Sequence, residues 1–382
     1  MKKLKYIILL LITLSFCFNL GNINVYANEN VSVSSYSAYL LDYNSNTVIF
    51  AKNENDRKPI ASMTKIMLLL LAYENIESGN LSLEESVTVS KNASKMGGSQ
   101  VFLEENGVYT VDVLLKSITV ASANDASVAI SERMYGSEKE CVNQMNRKAK
   151  DLNLENTLFA NCTGLPAPMQ YSSAKDIAII FSNLIKYDNY FKYSKVWMDT
   201  VNHSKNSTEI SNTNKLIKRY EGCDGGKTGF TSEAGYCLTA TAKRGNMRLI
   251  ASVINAATSN DRFESVTNMF DYGFSNYVNK CVVDNDIPLE DKLSVSNSKQ
   301  KDIEVISKND LYVFSKRNEN EVVDVNVNLY AVKAPIKKGD VVGEITVYKN
   351  GLEVAKSKLL ANENADKMGY FDCIKELFEK WA

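Results

Sequence analysis

The sequence contains one histidine in 382 residues, His203, and it lies in a polar stretch at residues 202–206. A single histidine gives little support to a zinc site built from several histidines or to a serine–histidine–aspartate triad. We therefore expect His203 on the surface, and no metal or other cofactor. A serine enzyme that lacks a catalytic histidine needs another base, and lysine is the usual substitute.

The spacing of the cysteines matches no metal-binding motif. The 7 cysteines include no Cys-x-x-Cys pair, so a metal cluster is not indicated. Cys17 lies in the N-terminal segment, and six others are scattered at positions 141, 162, 223, 237, 281 and 373. An even number in an exported protein permits disulfides, but the spacing selects no partners, and we favour buried free thiols.

An excess of basic charge is also absent, because the formal net charge is -1 and the isoelectric point is about 6.1. The chain therefore lacks the positive field that holds a phosphate backbone, and we expect no nucleic-acid partner. With 45% hydrophobic and 23% charged residues, it can bury at least one large core. Its length suggests two domains, or one large domain with an appendage.

The first 27 residues have the organisation of a signal peptide. Three lysines near the N-terminus precede an apolar run at residues 6–18, and a more polar stretch ends at Ala27. We expect cleavage after Ala27 and export of the mature chain. The alternative is a retained membrane anchor, although the apolar run is shorter than the roughly 20 residues that span a bilayer.

The hydrophobic pattern predicts secondary structure along the next 250 residues or so. Residues 38–42 and 47–52 predict a β-hairpin, and residues 62–73, apolar on every face, predict a helix buried inside a domain. Three strand-like runs lie between residues 226 and 255. Helical spacing recurs in the middle of the chain, at residues 111–120, 126–134, 141–152 and 174–185.

The composition changes near residue 279, where Val, Ile, Leu and Tyr begin to alternate with charged residues. This pattern predicts a small all-β domain at residues 276–362. Residues 363–382 predict an amphipathic helix with Phe371, Leu377, Phe378 and Trp381 on its apolar face. Its balanced charge predicts weak, peripheral attachment to a membrane, and the alternative is a helix docked on the β domain.

Ser62-Met63-Thr64-Lys65 places a hydroxyl and an amine on one face of the predicted buried helix. At a helix N-terminus, the backbone N–H of Ser62 faces the position where an oxyanion would form. Lysine is a base only when neutral, and burial beside a second cation lowers its pKa. The Ser-x-x-Lys matches that begin at Ser296 and Ser298 lie in a polar stretch, and we interpret both as chance matches.

Two further short motifs can carry chemistry. Ser122-Ala123-Asn124 supplies a hydroxyl that can relay a proton and an amide that can bind a substrate carbonyl, although a helix cap before Asp125 explains it equally well. Lys227-Thr228-Gly229 stands at the start of a predicted strand, after Gly225-Gly226, and is a rarer chance match. Glycine in that strand lets a ligand backbone approach closely.

The order of the three motifs, with a helical insert between the first and the last, is more specific than any one of them. From about residue 36 to the C-terminus the chain resembles the low-molecular-mass penicillin-binding proteins, the D-alanyl-D-alanine carboxypeptidases. The resemblance implies an α/β (α+β) penicillin-recognising, β-lactamase-like domain at residues 28–275, with an antiparallel sheet and a helical subdomain. A small β domain and a helix on the outer face of the cytoplasmic membrane would follow. The matching segments are residues 59–65, 96–100, 122–126, 225–231 and 247–250.

The resemblance also implies an activity, the removal of the terminal D-alanine from peptidoglycan stem peptides, and acylation by β-lactams. Ser62 would be the nucleophile, Lys65 the acylation base, and Ser122 with Lys227 the relay that protonates the leaving D-alanine. The other implied roles concern substrate binding: Asn124 for the amide, the backbone N–H groups of Ser62 and Phe230 for the oxyanion, Gly229 for close approach, and Thr228, Thr231 and Arg262 for the terminal carboxylate. For Arg262, a solvated surface position is an equal alternative.

Two other functions stay open. A class A β-lactamase shares the three motifs but needs a Glu-x-x-Leu-Asn setting for the deacylating water, and the helical insert has no such match. A non-catalytic wall-associated scaffold with a silent site is the second alternative, although the nucleophile, base and relay positions are all present. Two departures from the family pattern, Gln170 and Cys162, lie outside the proposed chemistry.

Overall fold

The structure, a computed structural model, describes residues 31–370 together with 372 and 374. The expected signal peptide at residues 1–27 and most of the expected terminal helix at 363–382 lie outside the described residues. Up to residue 276 the chain forms strands β1 (Ser37–Asp42) and β2 (Val48–Lys52), a 3-10 helix (Ala61–Thr64), α1 (Lys65–Glu77), β3 (Ser86–Thr88), α2 (Lys91–Ser94), β4 (Val108–Thr110), α3 (Val111–Ala121), α4 (Asn124–Tyr135), α5 (Glu138–Asp151), α6 (Ala174–Leu184), α7 (Tyr190–Ser194), β5 (Met198–Asn202), β6 (Ser207–Ser211), α8 (Leu216–Arg219), β7 (Cys223–Thr231), β8 (Gly235–Arg244), β9 (Met247–Ala256) and α9 (Ser259–Asn276). It continues with β10 (Tyr277–Val283), β11 (Leu293–Ser296), β12 (Asp302–Ile303), β13 (Val305–Ser307), β14 (Leu311–Lys316), β15 (Val323–Leu329), β16 (Val332–Lys333), β17 (Val341–Lys349) and β18 (Leu352–Ala361).

Five strands form the central antiparallel sheet of the first region, in the order β2-β1-β9-β8-β7. The predicted hairpin is present as β1 and β2, and Asp42 closes its turn by accepting a hydrogen bond from Ser45 N at 2.8 Å. The three strand-like runs are β7, β8 and β9, which pair as neighbours. The predicted antiparallel sheet is therefore confirmed.

Helix α1 is the buried centre of this region. All its residues from Lys65 to Tyr73 are buried, because its sequence is apolar on every side and packs against α4 and α6. Lys65 is the one charged residue in the buried segment 65–73. In the described part of the chain, no helix is long and apolar enough to cross a membrane.

Side-chain caps set where several helices of the insert begin. At the start of α5, Ser137 accepts a hydrogen bond from Glu140 N at 3.2 Å, and at α6, Ser173 accepts one from Asp176 N at 3.1 Å. The Ser137 cap explains why α5 begins at Glu138, before the predicted start at residue 141. The four predicted helices of the insert are therefore present, with boundaries adjusted by their caps.

Beyond residue 276 the described chain is built mainly of strands, as the alternating pattern predicts. The largest sheet has four strands in the order β13-β18-β17-β15, and β10 pairs with β14. Aliphatic side chains such as Ile303, Val313, Ile345 and Leu359 form a separate core. The predicted all-β region is confirmed.

A shared apolar cluster joins the two regions. Tyr277 and Phe314 of the β-rich region stack on each other with ring centroids 5.0 Å apart, and both pack in the cluster that contains Phe270 and Phe274 of α9. Asn279 donates to the buried carboxylate of Asp42 at 2.8 Å. The β-rich region is therefore attached through both apolar and polar contacts.

The cysteines of the described residues are unpaired. Cys141, Cys162, Cys223 and Cys237 are buried, whereas Cys281 is exposed. The expectation of free thiols is confirmed for these five, and the expectation of burial is wrong for Cys281. Cys373 lies outside the described residues.

Candidate active site

The candidate nucleophile and base lie at the junction of two helix types. The 3-10 helix ends at Thr64 and runs directly into α1, which begins at Lys65. A 3-10 turn aligns side chains three residues apart. Lys65 Nζ consequently lies 3.1 Å from Ser62 Oγ, as the Ser-x-x-Lys spacing predicts, although the α-helix itself begins three residues later than expected. Ser62 is half-buried, and Lys65 is completely buried.

Neutral oxygen atoms surround the amine of Lys65. Besides Ser62 Oγ, Lys65 Nζ contacts Asn124 Oδ1 at 2.7 Å and the carbonyl oxygen of Thr163 at 2.5 Å. Burial lowers the pKa of Lys65 to about 7, against smaller opposing effects of Cys162 and Asp125. Burial is the largest cause, as expected, and the expected second cation, Lys227, interacts electrostatically with Lys65.

The Ser-x-Asn motif connects α3 with α4. Ser122 ends α3 in the left-handed conformation with φ 62°, and its hydroxyl is buried without a hydrogen-bond partner among the described residues. Asn124 is the first residue of α4, and its side chain also donates to the carbonyl of Gly97 at 2.7 Å. Asn124 therefore binds Lys65 and the loop at residues 97–100, and the motif does not act as a side-chain helix cap.

Strand β7 brings Lys227 to the same place. A Cβ atom added to Gly229 would lie 2.5 Å from the carbonyl oxygen of Ile60 and 3.3 Å from Met63 N, so β7 passes directly against the turn that carries Ser62. Lys227 is buried and donates to the carbonyl of Thr228 at 2.9 Å. Burial and the positive charges of Lys65 and Arg262 hold the pKa of Lys227 well below its usual range.

Of the expected carboxylate-binding residues, Thr228 and Thr231 lie near the end of β7, and Arg262 lies on α9. Thr228 is buried, Phe230 is half-exposed and stacks on Tyr236, and Thr231 Oγ1 accepts a hydrogen bond from Ala234 N at 3.0 Å. Arg262 donates to the carbonyl oxygen of Gly229 at 3.2 Å and is only 9% exposed. The alternative of a solvated surface arginine is therefore wrong.

His203 lies away from these residues, in the turn of the β5–β6 hairpin. Its Nδ1 is 2.8 Å from the hydroxyl of Tyr109, and its Nε2 is 2.9 Å from Thr208 Oγ1. The ring is half-buried and hydrogen-bonded on both sides, and exposed residues flank it in the turn, so the expectation that His203 lies on the surface is confirmed. Neither contact involves Ser62 or Lys65.

Sequence reasoning missed the part of the site formed by Thr163 and Gly164. A Cβ atom added to Gly164 would lie 2.0 Å from the carbonyl oxygen of Ala61 and 2.8 Å from Ser62 N. Asn161 holds this turn by accepting a hydrogen bond from Gly164 N at 2.7 Å. Sequence analysis considered this segment only for the departure at Cys162 and gave Thr163 and Gly164 no role. The signal available in the sequence was a glycine three residues after an asparagine, and this glycine is left-handed in the structure.

Comparison with known proteins agrees with this geometry. A family model described as D-alanyl-D-alanine carboxypeptidase matches residues 24–258, and a model of the penicillin-binding protein 5 C-terminal domain matches residues 278–367. The chain belongs to the D-alanyl-D-alanine carboxypeptidase family. Its members are serine-type peptidases with the penicillin-binding fold, and the predicted family, fold and enzyme class are confirmed.

Relatives of this carboxypeptidase family extend the match along most of the chain. The D-alanyl-D-alanine carboxypeptidase DacF of Bacillus subtilis is 41% identical over 350 residues, covering 91% of this chain and 90% of the relative. Penicillin-binding protein 5 of Haemophilus influenzae is 28% identical with a TM-score of 0.69, covering 88% of this chain and 98% of that one. Penicillin-binding protein D2 of Listeria monocytogenes, in its ampicillin-bound form, is 28% identical with a TM-score of 0.58, covering 64% and 99%.

The pKa of Lys65 predicts a pH dependence. Only the neutral amine accepts the proton of Ser62, and burial lowers the pKa of Lys65 to about 7. The rate of acylation by a fluorescent penicillin should therefore fall about tenfold per pH unit below that pKa and level off above it. Stopped-flow fluorescence across this range measures the profile.

Histidine is the other side chain that ordinarily titrates in this range, so the His203→Gln variant is the matched control. It should keep the same profile. A rate that stays constant as the pH falls below the pKa of Lys65 would contradict the assignment of a neutral amine as the base.

The contact at Gly164 predicts a steric effect on the nucleophile. In Gly164→Ala the new methyl group must displace Ser62 or Ala61, so acylation should slow by about 100-fold or more. Gly79→Ala is the matched control, because Gly79 has a similar φ of +76° and nothing within 4 Å of the added carbon. Both variants should lose some stability, and equal acylation rates in the two would refute the steric account.

Proposed function

We propose that this chain is a serine-type D-alanyl-D-alanine carboxypeptidase that releases the terminal D-alanine from peptidoglycan stem pentapeptides through an acyl-enzyme on Ser62. The observation that carries the proposal is the buried amine of Lys65, with a pKa of about 7, at 3.1 Å from Ser62 Oγ. A hydroxyl beside a neutral amine is an activated nucleophile at neutral pH.

Acylation begins when Ser62 Oγ attacks the carbonyl carbon between the two D-alanines and its proton passes to Lys65. The backbone N–H groups of Ser62 and Phe230 bind the oxyanion. As the C–N bond breaks, the leaving amine takes a proton through the hydroxyl of Ser122, which has no partner of its own among the described residues. Lys227 supports this relay as the second buried amine.

Deacylation requires water. Water attacks the ester carbonyl, Ser62 takes back a proton, and the shortened stem peptide leaves with a new terminal carboxylate. Lys65 serves as the base again, because its amine returns to the neutral form after the first step.

Substrate binding uses the strand and the motif residues that flank Ser62. Asn124 binds the substrate amide, and Gly229 keeps β7 open to the substrate backbone. Thr228 and Thr231 bind the terminal carboxylate with their hydroxyl groups. Arg262 contributes positive charge from behind the strand, since its guanidinium N–H groups donate to the carbonyls of Gly229 and Cys237.

The same chemistry accounts for acylation by β-lactams, whose strained amide would occupy the place of the D-alanyl-D-alanine bond. The ampicillin-bound relative from Listeria supports this part of the proposal. The neutral amine of Lys65 and the backbone N–H groups of the oxyanion site act in the same way on a peptide and on a β-lactam. Ser62 would therefore be the acylated residue in both reactions.

We also propose a division of the chain by location and task. Residues 1–27 direct export, 28–275 form the catalytic domain, 276–362 form the small β domain, and 363–382 rest on the outer face of the cytoplasmic membrane. The apolar residues at helical spacing in the last segment support peripheral attachment. The peptidoglycan substrate lies on the same side of that membrane.

The Ser62→Ala variant tests the reaction. Purified wild-type protein should release D-alanine from muropeptides and form a covalent adduct with a fluorescent penicillin, whereas Ser62→Ala should do neither, because the acyl-enzyme cannot form. Ser296→Ala is the matched control, since it begins a Ser-x-x-Lys sequence remote from the site, and it should behave as wild type. Mass spectrometry locates the adduct.

Three results would contradict the proposal in different ways. Rapid turnover of the penicillin indicates a β-lactamase, and the absence of any adduct indicates a silent scaffold. An adduct on a residue other than Ser62 refutes the assigned nucleophile.

Deletion of residues 366–382 tests the membrane contact. The mature chain, from residue 28, should co-sediment weakly with vesicles of phosphatidylcholine and phosphatidylglycerol, and the deleted form should stay in the supernatant. Replacing Lys375 and Lys380 with Gln is the control, and binding should persist because apolar residues drive it. Unchanged co-sedimentation of the deleted form would refute the anchor.

A further inference from the structure

Phe102 combines an exposed aromatic ring with a left-handed backbone. Its φ is 61°, and its side chain is 62% exposed, whereas the neighbouring Val101 and Leu103 are buried. A bulky residue is disfavoured in this conformation, because its Cβ crowds the backbone. The phenyl ring recovers little of this cost by burial in the free protein.

The backbone conformation itself has a clear cause, the buried carboxylate of Asp125. Val101 N and Leu103 N donate to the same oxygen, Asp125 Oδ2, at 3.1 and 3.0 Å. In an extended strand these two N–H groups would stand about 7 Å apart. The left-handed residue between them folds the chain so that both amides converge on one anion.

The convergence on Asp125 does not explain why residue 102 is phenylalanine. Glycine adopts the left-handed conformation without strain, and asparagine adopts it at a small cost. Glycine or asparagine at position 102 would allow the same two hydrogen bonds from the backbone to Asp125. The ring therefore adds nothing to this contact, and it faces solvent.

The loop that presents Phe102 is tied to the candidate active site. Asn124 N donates to the carbonyl of Ser99 at 2.7 Å, and the side chain of Asn124 links Gly97 to Lys65. The other end of the loop is held by Glu104, which accepts a hydrogen bond from Ser204 N at 3.1 Å. Hydrogen bonds therefore hold the loop on both sides of Phe102.

We propose that Phe102 is a specificity-determining residue that contacts the aliphatic side chain of the amino acid preceding the D-alanyl-D-alanine unit. This inference rests on the proposed function. An extended peptide advances about 3.3 Å per residue, so the side chain before the amide held by Asn124 stays close to that residue. Asn124 N is itself hydrogen-bonded to the carbonyl of Ser99, three residues before Phe102. A flat apolar ring provides contact area to methylene groups.

The experiment compares two acyl donors that differ in one side chain. One is the doubly acetylated tripeptide lysyl-D-alanyl-D-alanine, and the other is N-acetylglycyl-D-alanyl-D-alanine. Wild-type protein should prefer the lysyl donor, measured as the ratio of the two kcat/KM values for D-alanine release. Phe102→Ala should reduce that ratio about tenfold, because the methylene chain loses its partner.

Val108→Ala is the matched control. Val108 is also 62% exposed, but it lies in the regular strand β4, and its loss should leave the ratio unchanged. An unchanged ratio in Phe102→Ala, or an equal loss for both donors, overturns the inference while the proposed function stands. Wild-type protein that releases D-alanine from neither donor overturns both.

Phe102→Gly separates binding from folding. It should reduce the ratio as Phe102→Ala does and raise Tm by about 2 °C, because glycine relieves the left-handed strain. A lower Tm would mean that the ring supports the fold, and the inference would then fail.

Discussion

The burial of one amine is the constraint on which the site depends. Lys65 Nζ is enclosed by the Ser62 hydroxyl, the Asn124 amide oxygen and the Thr163 carbonyl, and no carboxylate among the described residues contacts it. A buried ammonium with only neutral partners loses much of its hydration energy, so the neutral form becomes accessible near pH 7. A carboxylate in the place of any one acceptor would hold the proton on the amine and remove the base.

Glycines let three separate segments reach this amine and its serine. Gly164 permits the turn after Asn161 to contact the backbone of Ser62, and Gly229 permits β7 to contact Ile60. At Gly98, an added Cβ would lie 2.8 Å from the side-chain nitrogen of Asn124. Because glycine has no side chain, the backbone at each of these positions comes closer to a segment that is remote in sequence.

The regular parts of the fold were predictable because their patterns are local. The apolar run of α1, the helical spacing in the insert and the alternation in the β-rich region each report burial from neighbouring residues. The β5–β6 hairpin was not predicted, since only Val201 and Ile210 are buried in it. Polar strands without alternation leave no periodic signal, so the sequence did not reveal the hairpin that carries His203.

By itself the sequence determined the chemical groups and their local order, because Ser62 and Lys65 are neighbours on one turn and each motif lies within a few residues. The tertiary structure alone decided which of the remote groups meet. The contacts of Lys65 with Thr163 and of Arg262 with Gly229 join residues that are 98 and 33 positions apart, and both end on a backbone carbonyl that any residue could supply. Such contacts depend on how the segments pack, and residue type does not encode them.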